Sequence, residues 1–309
     1  MNATLKGRDY ISLADYDPSS FQSLLDLAIE LKEKQKKGIP HASLPGKTLA
    51  MIFQKASTRT RVSFEAAMFH LGGLGMFLSA NDLQIGRGEP IQDTARVLAS
   101  YCDGILIRTF SHQEVLMLGE YADVPVINGL TDDEHPTQAL ADIMTVYEEF
   151  GALKGKRLAF IGDANNVAVS LMHACALTGM EMAIAGPAGH QPGEKAMAEY
   201  ERLKQPGSVL TILKDPKEAA EGADVLYTDV WASMGQEQEA QERMQAFRGY
   251  QVNADLLKLA KPTAIVMHCL PAHRGEEISE EAIEGSQSRV FVEAENRLHA
   301  HKAILAALL

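Results

Sequence analysis

The 309-residue chain is short of cysteine, of long apolar runs and of surplus positive charge. Its three cysteines, Cys102, Cys175 and Cys269, stand far apart and form no C-x-x-C pair. That excludes a disulfide scaffold and fits a reducing compartment, so a cytoplasmic location is expected. No apolar run approaches the ~20 residues that a membrane-crossing helix needs. The first seventeen residues show no basic-then-apolar signal pattern. Twenty-nine basic residues face 41 acidic ones, a formal charge of −12. A global anion is a poor default binder of nucleic acid, so an anionic ligand calls for a local basic pocket.

What is present points to an ordinary globular chain, 46% hydrophobic and 23% charged. At ~150 residues per domain the length suggests two domains. Apolar runs read as strands at 48–53, 75–78, 104–108 and 124–128, separated by helical patterns at 58–71, 91–101 and 112–121. A helix at 136–150 carries Leu140, Ile143, Met144 and Tyr147 on one stripe. A second series follows, with strands at 157–161, 182–185, 209–213, 225–229 and 264–268 and helices at 167–177, 194–203, 254–259 and 277–283. Such alternation predicts an α/β protein of two doubly wound domains, each a parallel sheet flanked by helices. The division falls at 1–150 and 151–294, with a terminal helix at 295–309 free to pack on either, and the active site is expected in the cleft between them. In such sheets ligands bind beyond the carboxyl ends of strands.

The densest signal is Lys55-Ala56-Ser57-Thr58-Arg59-Thr60-Arg61, after a strand and at the start of a helix. Unpaired N–H groups, a positive dipole end, hydroxyls and a guanidinium fork together make an oxyanion site. Gly46-Lys47-Thr48 resembles the end of a P-loop, but the first glycine is missing and a strand follows, so that motif is rejected. Gly162-Asp163-Ala164-Asn165-Asn166 sits where a dinucleotide loop sits yet lacks G-x-G-x-x-G; it is either an Asn-stabilised turn or a contact to a small polar ligand. His135 and Gln138 open a helix with Pro136 in its first position, and a neutral imidazole and an amide suit a carbonyl oxygen. Arg108 at a strand end is a ligand contact or a surface cap. Asp229, Ser233 and Met234 follow another strand, where the carboxylate can pair an ammonium group. His268-Cys269-Leu270-Pro271 has no third ligand at zinc spacing, so no metal is expected. Neighbouring residues of a strand point to opposite faces, which makes Cys269 a polar contact rather than a nucleophile activated by His268.

Ser57-Thr58-Arg59-Thr60-Arg61 with Ser63-Phe64-Glu65, followed by His135-Pro136-Thr137-Gln138, resembles the signature of the carbamoyltransferase family. Asp229 through Gly235 and His268 through Pro271 are similar to its ornithine-using branch; the aspartate-using branch carries a proline where Cys269 stands. The resemblance spans residues 55 to 297. It implies carbamoyl phosphate on Ser57, Thr58, Arg59, Thr60, Arg108, His135, Gln138 and Arg297, with Arg59, Arg108, His135 and Cys269 at the chemistry. It implies L-ornithine on Asn166, Asp229, Ser233, Met234, Cys269 and Leu270, with citrulline and phosphate as products. It further implies a homotrimer in which a loop at 81–89 reaches the neighbouring subunit's site through Gln84, and no cofactor, since carbamoyl phosphate is already activated. Carbamoyl transfer to another amine, and a binding protein without activity, are the competing readings.

Overall fold

The computed structural model describes residues 5–232 and 239–309. The chain divides into two compact units, Met1–Met144 with Glu295–Leu309, and Thr145–Ala294. Each is built on its own parallel sheet.

The first unit begins with α1 (Pro18–Lys36), whose cap Asp17 accepts from the Ser20 N–H and whose first residue is proline. Then come β1 (Thr48–Phe53), α2 (Thr58–His70), β2 (Leu74–Ser79), α3 (Ile91–Tyr101), β3 (Gly104–Arg108), α4 (His112–Tyr121), β4 (Val126–Leu130) and α5 (Pro136–Phe150), whose last residues belong to the second unit. The strand order is β2-β1-β3-β4, all parallel. β1 and β3 are buried along most of their length, as a sheet covered on both faces requires. Lys47, at the rejected P-loop, pairs with Asp103 at 2.7 Å, and Thr48 opens β1 instead of a helix.

The second unit contains β5 (Arg157–Ile161), α6 (Asn166–Thr178), β6 (Glu181–Ala185), α7 (Glu194–Leu203), β7 (Val209–Leu213), α8 (Pro216–Ala220), β8 (Val225–Thr228), α9 (Ala240–Ala246), α10 (Ala254–Leu257), β9 (Ile265–His268) and α11 (Glu280–Glu284). Its order is β7-β6-β5-β8-β9, again parallel. The final helix α12 (Val290–Leu308) starts in the second unit and continues in the first. Its later turns are tied to the first unit by Lys32 Nζ to Asn296 Oδ1 at 2.5 Å and by the Gly7 N–H to the Leu308 carbonyl at 2.9 Å.

The expected elements are present, with shifted ends. β4 runs two residues later than expected, because the 3.6-period of α4 ends at Tyr121 and Asp123–Pro125 form the connection. The terminal helix starts five residues earlier than expected, at Val290. The helix expected at 277–283 is only Glu280–Glu284, since Ser279 takes the cap by accepting from the Ala282 N–H. The short helices α8 and α9 carry too little periodicity to be read in advance. In both sheets the strand order reverses at the first strand, between β1 and β3 and between β5 and β8. Crevices at such switch points are where ligands bind in open α/β sheets.

Candidate active site

At the first switch point β1 ends at Phe53 and α2 begins at Thr58. Ser57 is the cap of α2: its Oγ accepts from the Thr60 N–H at 3.1 Å, which leaves its O–H free to donate. Thr58 is exposed and Arg59 half-buried, and among the described residues no carboxylate pairs with the Arg59 guanidinium. Arg61 points elsewhere, pairing with Glu65 at 3.2 Å and lying 3.6 Å over the Phe77 ring. A pocket of about 650 Å³ opens here, lined among others by Gln54, Lys55, Ser57 and Thr58.

Three strand-end loops meet at this turn. The Gln54 N–H donates to the Arg108 carbonyl at 2.9 Å, and the Asp132 N–H to the Phe110 carbonyl at 2.9 Å. Arg108 is buried at a register shift between β3 and β4, a bulge that re-aims the side chain at the strand end. Lys55 was not among the expected site residues although it opens the motif. It is buried, pairs with exposed Asp132 and lies 4.1 Å over the Phe110 ring, so it pins all three loops.

His135 is 4% exposed and precedes α5. Burial pushes its pKa well below the usual histidine value, and the guanidinium groups of Arg297, Arg108 and Arg59 add to this, so the ring is neutral. Gln138 and Thr60 are held from behind. Arg297 NH1 donates to Gln138 Oε1 at 2.7 Å, its NH2 to Thr60 Oγ1 at 2.8 Å, and Gln138 Nε2 donates to Asp142 at 2.8 Å. The structure thus gathers Ser57, Thr58, Arg59, Thr60, Arg108, His135, Gln138 and Arg297 in one unit, with Arg297 bound to Thr60 and Gln138. Gln84 is exposed, in a loop of two short 3₁₀ turns, Ala80–Asp82 and Ile85–Arg87.

In the second unit the switch point carries the opposite chemistry. Asn165 caps α6, its Oδ1 accepting from the Val167 and Ala168 N–H groups at 3.0 and 3.2 Å. Its Nδ2 donates to Asp229 Oδ2 at 2.7 Å, just beyond β8. Cys269 Sγ donates to Asp229 Oδ1 at 2.9 Å, just beyond β9. Sequence reasoning put Asn166 at this site; Asn165 holds the carboxylate, a role that its place before a helix signals. Asn166 opens α6, half-buried beside it. Ser233 and Met234 lie outside the described residues.

The turn at Leu270 is built from behind as well. His268 is fully buried; its Nδ1 accepts from the Leu270 N–H at 2.9 Å and its Nε2 meets Glu277 at 3.1 Å. Leu270 has φ +57°, which no other non-glycine shows among the described residues, a conformation that costs an L-residue about 1–2 kcal/mol. His268 and Cys269 take different hydrogen-bond partners, Glu277 for one and Asp229 for the other. Donor atoms of Asp229, His268 and Cys269 lie within 4.8 Å of one another, a donor set suited to a soft divalent ion, but both imidazole nitrogens are already engaged.

The family profile for the aspartate/ornithine carbamoyltransferase carbamoyl-P binding domain matches residues 8–148, and that for the Asp/Orn binding domain matches residues 154–308. The chain belongs to the aspartate/ornithine carbamoyltransferase family. Among its relatives, the ornithine carbamoyltransferase of Anoxybacillus flavithermus is 56% identical over 312 residues, covering 100% of this chain and 99% of its own. That of Pyrococcus abyssi is 55% identical over 310 residues, covering 100% and 98%. The solved ornithine carbamoyltransferase of Pyrococcus furiosus superposes with a TM-score of 0.96 at 53% identity, covering 99% of this chain and 98% of that one. The anion-binding cradle at residues 57–60 thus falls within the carbamoyl-P profile of this carbamoyltransferase, and the Asp229–Cys269 pair within the Asp/Orn profile.

Proposed function

We propose that the chain transfers the carbamoyl group of carbamoyl phosphate to the δ-amine of L-ornithine, giving L-citrulline and phosphate through a tetrahedral intermediate, as a step in arginine metabolism. The observation that carries this reading is the cradle at residues 57–60: hydroxyls, helix N–H groups and a guanidinium with no carboxylate partner among the described residues, beside a buried neutral histidine. The relatives named for the same reaction support it. On this reading residues 1–150 bind carbamoyl phosphate, 151–294 bind ornithine, and 295–309 serve the first.

The charge demands of the reaction assign the roles. Arg59, Ser57, Thr58 and the α2 terminus hold the phosphoryl group and stabilise it as it leaves. Thr60, Arg108 and His135 face the carbonyl oxygen, where negative charge builds; a neutral imidazole donates its one N–H there as a hydrogen bond. Gln138 holds the carbamoyl end, with Arg297 fixing it and Thr60. Asp229 takes the α-ammonium, with Asn166, Ser233 and Met234 around the amino acid. Cys269 and Leu270 flank the attacking nitrogen. A free alkyl amine titrates near ~10.4 and must lose its proton to attack; cationic neighbours and desolvation favour the neutral form. Phosphate should be released only when carbamoyl phosphate and ornithine are both present; release with carbamoyl phosphate alone above its spontaneous rate contradicts the reading.

We infer further that the enzyme is a cytoplasmic homotrimer whose 81–89 loop serves a neighbouring subunit through Gln84. Val62 and Phe69, two turns apart on α2, are exposed apolar side chains, with Phe69 77% exposed, and an apolar stripe left open in a monomer marks an interaction site. All three cysteines are free thiols, as a reducing compartment requires. Sedimentation should give three times the 33.7 kDa chain mass; a monomer at micromolar concentration overturns the inference.

A further inference from the structure

The first unit buries two histidines that the proposed reaction does not use, His299 and His301. His301, on α12, is fully buried with its ring stacked on Phe64, centroids 3.8 Å apart and planes 17° from parallel. Arg297 Nε donates to its Nε2 at 3.4 Å, so that nitrogen carries no proton. Burial and the adjacent guanidinium keep the ring neutral. Its single proton therefore sits on Nδ1, which lies 2.8 Å from Ser63 Oγ and donates to it. The Ser63 hydroxyl in turn donates to the Arg59 carbonyl at 2.5 Å, in the first turn of α2. Every link has a direction, from Arg297 to His301 to Ser63 to the backbone of the phosphate cradle. The remaining Arg297 nitrogens donate to Gln138 and Thr60.

We propose that His301 is a positioning residue for carbamoyl phosphate: it orients the Arg297 guanidinium and, through Ser63, the Arg59–Thr60 backbone. A ring that merely filled the core would need no nitrogen, because stacking on Phe64 requires only an aromatic face. With His301 the guanidinium has a third fixed point besides Gln138 and Thr60, so its plane cannot turn. The proposal deepens the reading of residues 57–60 as the phosphate cradle and rests on it.

The test compares the full-length enzyme with His301→Phe, which keeps the stacked ring and removes both hydrogen bonds, and Ser63→Ala, which cuts the same chain one link on. Separate KM values for carbamoyl phosphate and ornithine, and the Kd of inorganic phosphate by calorimetry, are the readouts. Each variant should raise the carbamoyl phosphate KM and the phosphate Kd about 3- to 10-fold, with the ornithine KM changed less than about twofold. The double variant should be no worse than the worse single one, because one chain is being cut. Phosphate and carbamoyl phosphate values unchanged in either variant, or both KM values rising together, overturn the proposal. If His301→Phe does not fold, Ser63→Ala decides by the same criterion. If the wild-type chain binds phosphate but makes no citrulline, the proposed activity falls, and the phosphate Kd still decides the role of His301.

Discussion

At the ends of β1, β3 and β4 the first unit gathers Arg59 and Arg108 around a neutral His135, with Arg297 behind them; at the ends of β5, β8 and β9 the second gathers Asn165, Asp229 and Cys269. The two sheets share a plan, parallel strands whose order reverses at a central one, so the backbone supplies the same crevice twice. The difference lies in sign. The first crevice presents hydrogen-bond donors and cations, which the proposed function assigns to an acyl phosphate. The second presents a carboxylate, organised by an amide and a thiol, which it assigns to an ammonium group. A net charge of −12 therefore says little about either ligand, because screening over ~8 Å leaves local groups in control.

Breaking each side separately sharpens the comparison. The largest effect is expected from Arg59→Ala, which removes the guanidinium of the cradle: kcat should fall by about 10²–10³ while ornithine affinity is retained. Near-normal turnover would detach the cradle from the chemistry. Asp229→Asn keeps the shape of the second crevice and removes its charge. The ornithine KM should rise by about 30-fold or more, with the carbamoyl phosphate KM unchanged, because a charge-assisted pair is lost. A rise in both would show that the division of labour between the units is wrong.

The smallest effect concerns pH. His135 and His301 have pKa values pushed well below normal, and that of His299 is lowered to about 3, in each case by burial first and nearby cations second. Unfolded histidines bind protons near pH ~6.5, whereas these three stay neutral in the folded chain. The unfolded state thus binds more protons as pH falls, and stability drops between ~6.5 and the folded values. Each histidine contributes up to ~1.4 kcal/mol per pH unit across that window. Melting temperatures at pH 7.5 and 5 should fall less for His301→Phe than for the wild type; an equal fall contradicts the neutral assignment.

The strand–helix alternation and the Ser57–Thr60 turn were legible because both are local: apolar periodicity and a helix start are written in consecutive residues. Their partners are not local. Arg297 entered the site only through the family resemblance, and its contacts with Thr60 across 237 positions and Gln138 across 159 are made only in the folded chain. Asn166 came from the resemblance, whereas the part of Asn165, which caps α6 and donates to Asp229, shows only in the folded chain. His301 carries no motif at all; its role lies in the order of its neighbours, Phe64 on its face and Arg297 and Ser63 at its nitrogens. Lys55 stood within the motif, yet its pairing with Asp132 depends on a loop 77 residues away.

The central claim is that a cationic cradle and an acidic one serve a single transfer between carbamoyl phosphate and a diamino acid. Its most direct test supplies carbon-labelled carbamoyl phosphate with ornithine, aspartate or putrescine in parallel and follows where the label goes. The account predicts labelled citrulline from ornithine and, at equal concentration, little or no product from the other two. Labelled carbamoyl-aspartate or carbamoyl-putrescine as the main product would contradict it.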